Sequence, residues 1–265
     1  MQPHISLAAE RIGSFLGLPI TNSILATWMV MVFLIIFTYF ATKNLTLIPS
    51  TLQSIAEILI EGIHDLFTSI VGEHSIGQFF PLLATIFIFV MIANWSGLIP
   101  GVGSIGLTKI AAEETKIENS PASNNAKPVS EKSEFVPLFR GPTADLNTTL
   151  AIALIAVVAL QYYGFKALGL SYLKKYLNFS NPINFFLGLL EIISELAKVI
   201  SFAFRLFGNI FAGEVLLTVI AFLMPLIAPL PFLGLELFVG FIQALVFSML
   251  TAVFLNLATI SHAEH

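Results

Sequence analysis

The sequence has no cysteine, which excludes disulfide frameworks, thiolate metal sites and a cysteine nucleophile together. Charge is scarce: 11% of residues are Asp, Glu, Lys or Arg, where an ordinary soluble domain carries roughly a quarter. With 57% hydrophobic residues and a mean hydropathy of +0.91, the chain is read as an integral membrane protein. Its net charge of -4 leaves no basic footprint for nucleic acid. Neither a P-loop nor a Rossmann glycine fingerprint occurs, so no cofactor and no nucleotide chemistry are expected on this chain.

In place of charge there is a series of apolar runs. The first, 24–41, is about the length needed to cross roughly 30 Å of hydrocarbon. The segment before it, 1–22, holds Glu10 and Arg11 and is not the basic leader of a signal peptide. In 50–71, Gln53, Glu57, Glu61, Asp65 and Thr68 recur at three- and four-residue spacing, the period of an amphipathic helix lying at the membrane surface or against a partner. A second span, 79–98, stops at the Pro100-Gly101 turn signal. The stretch 101–143 interleaves Lys109, Glu113, Glu114, Lys116, Glu118, Lys127, Glu131, Lys132 and Glu134 with Ser, Asn and Pro, and reads as a polar loop outside the membrane. A third span, 147–166, ends at Lys166, with Lys174 and Lys175 just beyond.

No proline occurs between Pro182 and Pro225. A helix over 182–224 would reach roughly 60 Å, twice the hydrocarbon thickness, and must tilt, kink or leave the bilayer. The last run, 231–262, predicts a helix of roughly 45 Å by the same arithmetic. Pro225, Pro229 and Pro231 mark the turn that joins the two as a long antiparallel hairpin. Basic residues in short loops favour the cytoplasmic side. The cluster of Lys166, Lys174 and Lys175 therefore sets the N-terminus outside and the C-terminus inside.

Charged residues recur within that hairpin: Glu191, Glu195, Lys198, Arg205, Glu214 and Glu236, all among Leu, Ile, Phe, Val and Ala. At mid-membrane each costs about 2.5–3.5 kcal/mol even on the gentlest scale, so each needs a partner or a function. Glu195 and Lys198, three apart, suit a structural ion pair near the surface. Glu191, Ser194, Lys198, Ser201, Arg205 and Asn209 follow one another at three- or four-residue steps and make one polar stripe. Glu214, nine residues beyond Arg205, falls half a turn away on the other side; Glu236 and Gln243, seven apart, share a face of the last helix. The pattern looks like two separated aqueous paths meeting near one fixed positive charge. A polar seam gluing helices together is the bland alternative, and Gly208, Ala212 and Gly213 fit close helix approach under either. Polar glue leaves the lone arginine unexplained.

The run Arg205-Leu206-Phe207-Gly208-Asn209-Ile210-Phe211-Ala212-Gly213-Glu214 resembles the signature of the ATP synthase subunit a family. Gln243 and the run Pro142-Thr143-Ala144-Asp145-Leu146-Asn147 are also similar to that family. The likeness is strongest over 141–265 and looser in the first two spans. It implies an all-α polytopic membrane protein with about five membrane-embedded helices, a surface amphipathic helix and a steeply tilted final hairpin. It also implies a non-catalytic subunit of a rotary ATP synthase in a bacterial plasma membrane. The implied partners are a ring of subunit c, the peripheral stalk subunit b, the remaining synthase subunits and lipid. Arg205 would face the rotor carboxylate; Asp145, Asn209, Glu214, Glu236 and Gln243 would line or border an outer half-channel, and Glu191, Ser194 and Ser201 an inner one. Glu236 stands where certain members carry histidine, and 101–143 is longer than in many of them. The competing class is a stand-alone secondary cation transporter with an intramembrane Arg–Glu site. Such proteins show internal repeats and broken helices, neither of which is evident here.

Overall fold

A computed structural model describes residues 9–15, 17–43, 45–46, 48–99, 101–103, 105–110, 133–173, 176, 181–224 and 227–259. Lys174 and Lys175, on which the orientation rests, lie outside these residues, as do Pro225 and the charged centre of the polar loop, 111–132.

The chain is nearly all helical. In order come a short ribbon of β1 (Arg11–Phe15) and β2 (Leu18–Thr21), then α1 (Asn22–Thr42), α2 (Thr51–Val71) and α3 (Glu73–Ser96). A second ribbon, β3 (Gly106–Ile110) with β4 (Ser133–Pro137), leads to α4 (Leu146–Leu168), the short α5 (Leu170–Leu173), α6 (Pro182–Leu223) and α7 (Pro229–Thr259). Five of these helices, α1, α3, α4, α6 and α7, are long and apolar enough to cross a membrane. The chain is an integral, multi-pass membrane protein. At 42 residues α6 is about 63 Å long.

Helix boundaries follow local chemistry. Thr21 Oγ1 accepts from the Ile24 amide at 3.3 Å and starts α1, and Ser50 Oγ does the same for Gln53 at 3.4 Å in α2. Gly72, at φ 84°, separates α2 from α3, a left-handed conformation that glycine adopts without penalty. Pro182 opens α6 at a position where its missing N–H is of no consequence.

The core lies where α3, α4, α6 and α7 cross. Phe67, Leu83, Phe202, Leu206, Phe247 and Leu255 fill it. Ala93, Ala153, Ala156, Ala203, Ala244 and Ala252 are fully buried, and small residues of this kind let helix backbones approach closely in a membrane. The final hairpin does not stand on its own contacts: α7 packs most extensively on α3, and α6 on α4, with less between α6 and α7. Each of the long helices is thus held by a neighbour earlier in the chain. The two ribbons were not expected from the sequence. β3 and β4 pair antiparallel with Gly106 opposite Pro137, and both lie inside the stretch read as irregular loop. Five-residue strands separated by a long polar insertion carry too little alternation to be seen.

Candidate functional site

The polar residues of α6 occupy two sides of the helix. On the outward side, Ser194, Ser201 and Arg205 are exposed and Glu191 is half-buried. Arg205 has no hydrogen bond or ion pair with any described residue. Gly208 and Ala212 continue the same exposed strip. They were expected at a close helix approach, and both are exposed; among the described residues a methyl on Gly208 meets nothing within 4 Å. Lys198 is placed differently. Its Nζ lies 2.8 Å from Glu195 Oε1 and 4.9 Å from the centre of the Phe254 ring, so it is satisfied inside the protein. Beside Glu195 the hydroxyls of Tyr172 and Tyr176 both donate to Gln161 Oε1, at 2.9 and 3.0 Å. Burial, with the Tyr172 hydrogen bond and the charge of Glu195, pushes the Tyr176 hydroxyl above its ordinary range.

The inward side of α6 meets α7 and the segment before α4. Asn209 Nδ2 donates to Gln243 Oε1 at 3.3 Å. Glu236, only 7% exposed, lies directly against Gly213, where a Cβ would overlap its carboxylate. Glu214 is gripped by Arg140, whose Nε and Nη2 both reach Oε2 at 3.3 Å. The guanidinium also sits 5.8 Å from the centre of the Phe211 ring. Arg140, Glu214 and Glu236 border a cavity of about 770 Å³ that Glu10 and Asn94 also line, while Asn209 and Gln243 lie outside its lining.

Two side chains of α3 fix α7 at this level. Asn94 Nδ2 donates to the Gly240 carbonyl at 2.8 Å, and Trp95 Nε1 to the Leu237 carbonyl at 3.0 Å. Gly240 has no side chain in the way: a Cβ there would come within 3.2 Å of the Asn94 Cβ. Asp145 is buried and caps α4, its Oδ1 accepting from the Asn147 amide at 3.3 Å and its Oδ2 from Thr148 Oγ1 at 3.4 Å. It does not line the cavity.

The structure therefore gathers Asn209 with Gln243, Gly213 with Glu236, and Glu214 with Arg140, and leaves Arg205 with Ser194 and Ser201 on an open face. Arg140 and Asn94 were not singled out from the sequence. Asn94, a polar residue closing an apolar run, carried the signal that intramembrane polar residues always carry. Arg140 carried only its place next to Gly141-Pro142.

The fold and site define a class: a polytopic helical membrane protein with one exposed, unpartnered arginine and a separate set of buried polar groups around a cavity. The chain belongs to the ATP synthase A chain family, whose model matches residues 24–256. A relative named ATP synthase subunit a, from Gloeobacter violaceus, is 34% identical over 244 residues, covering 92% of this chain and 86% of its own length. A protein of the same name from Citrifermentans bemidjiense is 32% identical over 246 residues, covering 92% and 89%.

Proposed function

We propose that this chain is the stator proton-channel subunit of a rotary ATP synthase, coupling proton flow to the turning of a ring of subunit c. The observation that carries the reading is Arg205, exposed on a long membrane helix and without a partner among the described residues, whereas Glu195, Lys198 and Glu214 of the same helix are paired within this chain. Left in lipid it costs about 2.5–3.5 kcal/mol or more, so this face calls for a partner bearing a carboxylate. The small residues beside it, Ser201, Gly208 and Ala212, let such a partner come close.

Arginine suits the task because its pKa exceeds about 12, so it attracts a carboxylate without passing on a proton. At about 4 Å and an effective dielectric near 20 the attraction is roughly 4 kcal/mol, comparable to one proton falling through about 150–200 mV. The driving force is thus large enough to release the pair. Asn209, Glu214, Glu236 and Gln243 line the outer path, with Asp145 bordering it at the α4 N-terminus; Glu191, Ser194 and Ser201 border the inner one. Glu236 Oε1, Gln243 Nε2 and Asn94 Oδ1 are buried with no protein partner among the described residues, which supports a hydrated outer path, since buried polar groups without hydrogen bonds are costly. A proton entering there neutralises the rotor carboxylate, which then turns away into lipid and discharges through the inner path.

In this reading the N-terminus is outside and the C-terminus in the cytoplasm of a bacterial cell, α2 meets the peripheral stalk subunit b or lipid, and ATP chemistry resides on other subunits. A stand-alone transporter needs an acid opposed to Arg205, whereas Glu214 is engaged by Arg140 and Glu195 by Lys198. The test is ATP-driven acidification of vesicles at matched levels of assembled complex. Arg205→Ala is expected to abolish it with membrane insertion intact. Arg205→Lys is expected to fail nearly as badly, because a lysine charge is lost more readily on desolvation. Near-normal coupled pumping by the lysine variant removes the basis for the mechanism.

A further inference from the structure

Arg140 is not used by the mechanism above, yet it is the one basic side chain among the described residues that line the cavity, facing Glu10, Glu214 and Glu236. It is 7% exposed, while the Glu214 side chain it holds is 42% exposed and open to the cavity. Two of its nitrogens converge on a single oxygen of Glu214. Phe211, one turn before Val215 on the same helix, backs the guanidinium with its ring. The clamp joins the extramembrane segment ahead of α4 to α6 across 74 positions of sequence.

A cavity lined by carboxylates is a trap for metal cations, which outnumber protons by many orders of magnitude at neutral pH. Hard cations such as calcium take carboxylate and carbonyl oxygens as ligands. Glu214 and Glu236 stand on facing helices around the same space, with the Glu236 carboxylate against Gly213, the residue next to Glu214. Without an opposing charge they offer such ligands together. A fixed arginine in a pore excludes cations by electrostatics, and unlike lysine it cannot lose its charge.

We propose that Arg140 is the selectivity residue of the outer path: its fixed charge, clamped on Glu214, keeps metal cations from settling between Glu214 and Glu236 while leaving proton transfer through the cavity open. This rests on the assignment of the cavity to a proton path. Arg140 is a positioning residue here, since it acts through Glu214.

The experiment uses the whole assembled complex in proteoliposomes with the outer face toward the lumen. ATP-driven acidification is compared between lumens loaded with choline chloride and with calcium chloride at equal ionic strength. Weak calcium sites have dissociation constants up to about 1 mM, so about 5 mM calcium on such a site slows the rate about sixfold. The wild type, in which the charge is fixed, is expected to run at the same rate in both lumens. Arg140→Gln is expected to lose about sixfold in calcium by that arithmetic. Arg140→Gln combined with Glu214→Gln is expected to be insensitive again, because the site has lost a ligand. The ratio is taken within each preparation, so a merely structural role, which lowers the amount of complex, does not move it. An equal ratio for Arg140→Gln and wild type overturns the proposal, as does calcium sensitivity in the double variant. Strong calcium inhibition of the wild type overturns it even if Arg140→Gln does not assemble. Pumping by Arg205→Ala in the choline lumen is a separate outcome that sinks the proton-path reading itself.

Discussion

Gly213 and Glu236 compete for the same space between α6 and α7, and the side chain that is absent matters as much as the one present. A helix-interior glycine costs up to about 1 kcal/mol relative to alanine, so alanine is favoured wherever there is room. At Gly234 nothing lies within 4 Å of an added Cβ, whereas at Gly213 the methyl would overlap the Glu236 carboxylate. Gly213→Ala is therefore expected to displace Glu236 and lower ATP-driven acidification several-fold at matched assembly. Gly234→Ala, the control for helix propensity, should leave the rate unchanged, and equal behaviour of the two variants would show that the Glu236 position is not needed. The residues legible in advance were those on a regular period: Arg205, Glu214, Glu236 and Gln243 sit in long helices, where spacing converts directly into direction. Arg140 could not be found that way, because its partner is 74 positions distant and it lies in no periodic segment. The pairing of Gly213 with Glu236 depends on the register of two helices, which neither sequence contains alone.

The helices themselves were visible because apolar runs of the right length have few other interpretations in a membrane protein. Their partners were less so: the α6–α7 turn suggested a long antiparallel hairpin without saying what it packs on, and the fully buried alanines on α3, α4, α6 and α7 let each long helix lie on an earlier one. The helix α2 is clearer in three dimensions than as a simple two-faced amphipath. Ile63, Phe67 and Val71 pack inward, Leu52, Ile55 and Ile58 are exposed on a second face, and Glu57, Glu61 and Asp65 on a third, an arrangement fitted to protein, lipid and water at once. The start of α4 bears a prediction. Asp145 was placed beside the outer path by resemblance, and its contacts are those of a helix cap. Serine caps about as well as aspartate, and alanine costs about 1 kcal/mol. Asp145→Ser should therefore keep both assembly and transport, while Asp145→Ala lowers the thermal stability of the complex. Loss of transport in a fully assembled Asp145→Ser complex would instead make the carboxylate a member of the proton path.

Across the whole molecule the two polar sets lie on different sides of α6, one around a partly open cavity and one on an open face. The spacing separated Glu214 from Arg205, since nine residues is two and a half helical turns, but it grouped Asn209 with Arg205, whereas the structure pairs Asn209 with Gln243. The sequence held no sign that one set would share a cavity of this chain and the other be left bare, because that cavity depends on α3, α7 and the segment before α4 meeting there. This asymmetry predicts how the sets communicate with water. In the proposed reading the inner set is completed when a partner covers it, and the outer set borders a cavity formed by this chain. The natural absence of cysteine allows a direct measurement with single introduced thiols. In the assembled complex, cysteines at Glu214 and Glu236 should react with polar, membrane-impermeant thiol reagents from the outer side, and cysteines at Glu191 and Ser194 from the cytoplasmic side. Cysteines replacing Glu214 and Glu236 should also label in the isolated chain, because their cavity is formed by this chain alone. Cysteines replacing Glu191 and Ser194 should lose their sidedness there, since the face they occupy is bounded by lipid once the partner is gone. Labelling of all four positions from one side with equal ease in the complex would show a single continuous aqueous space, which no fixed arginine could convert into rotation.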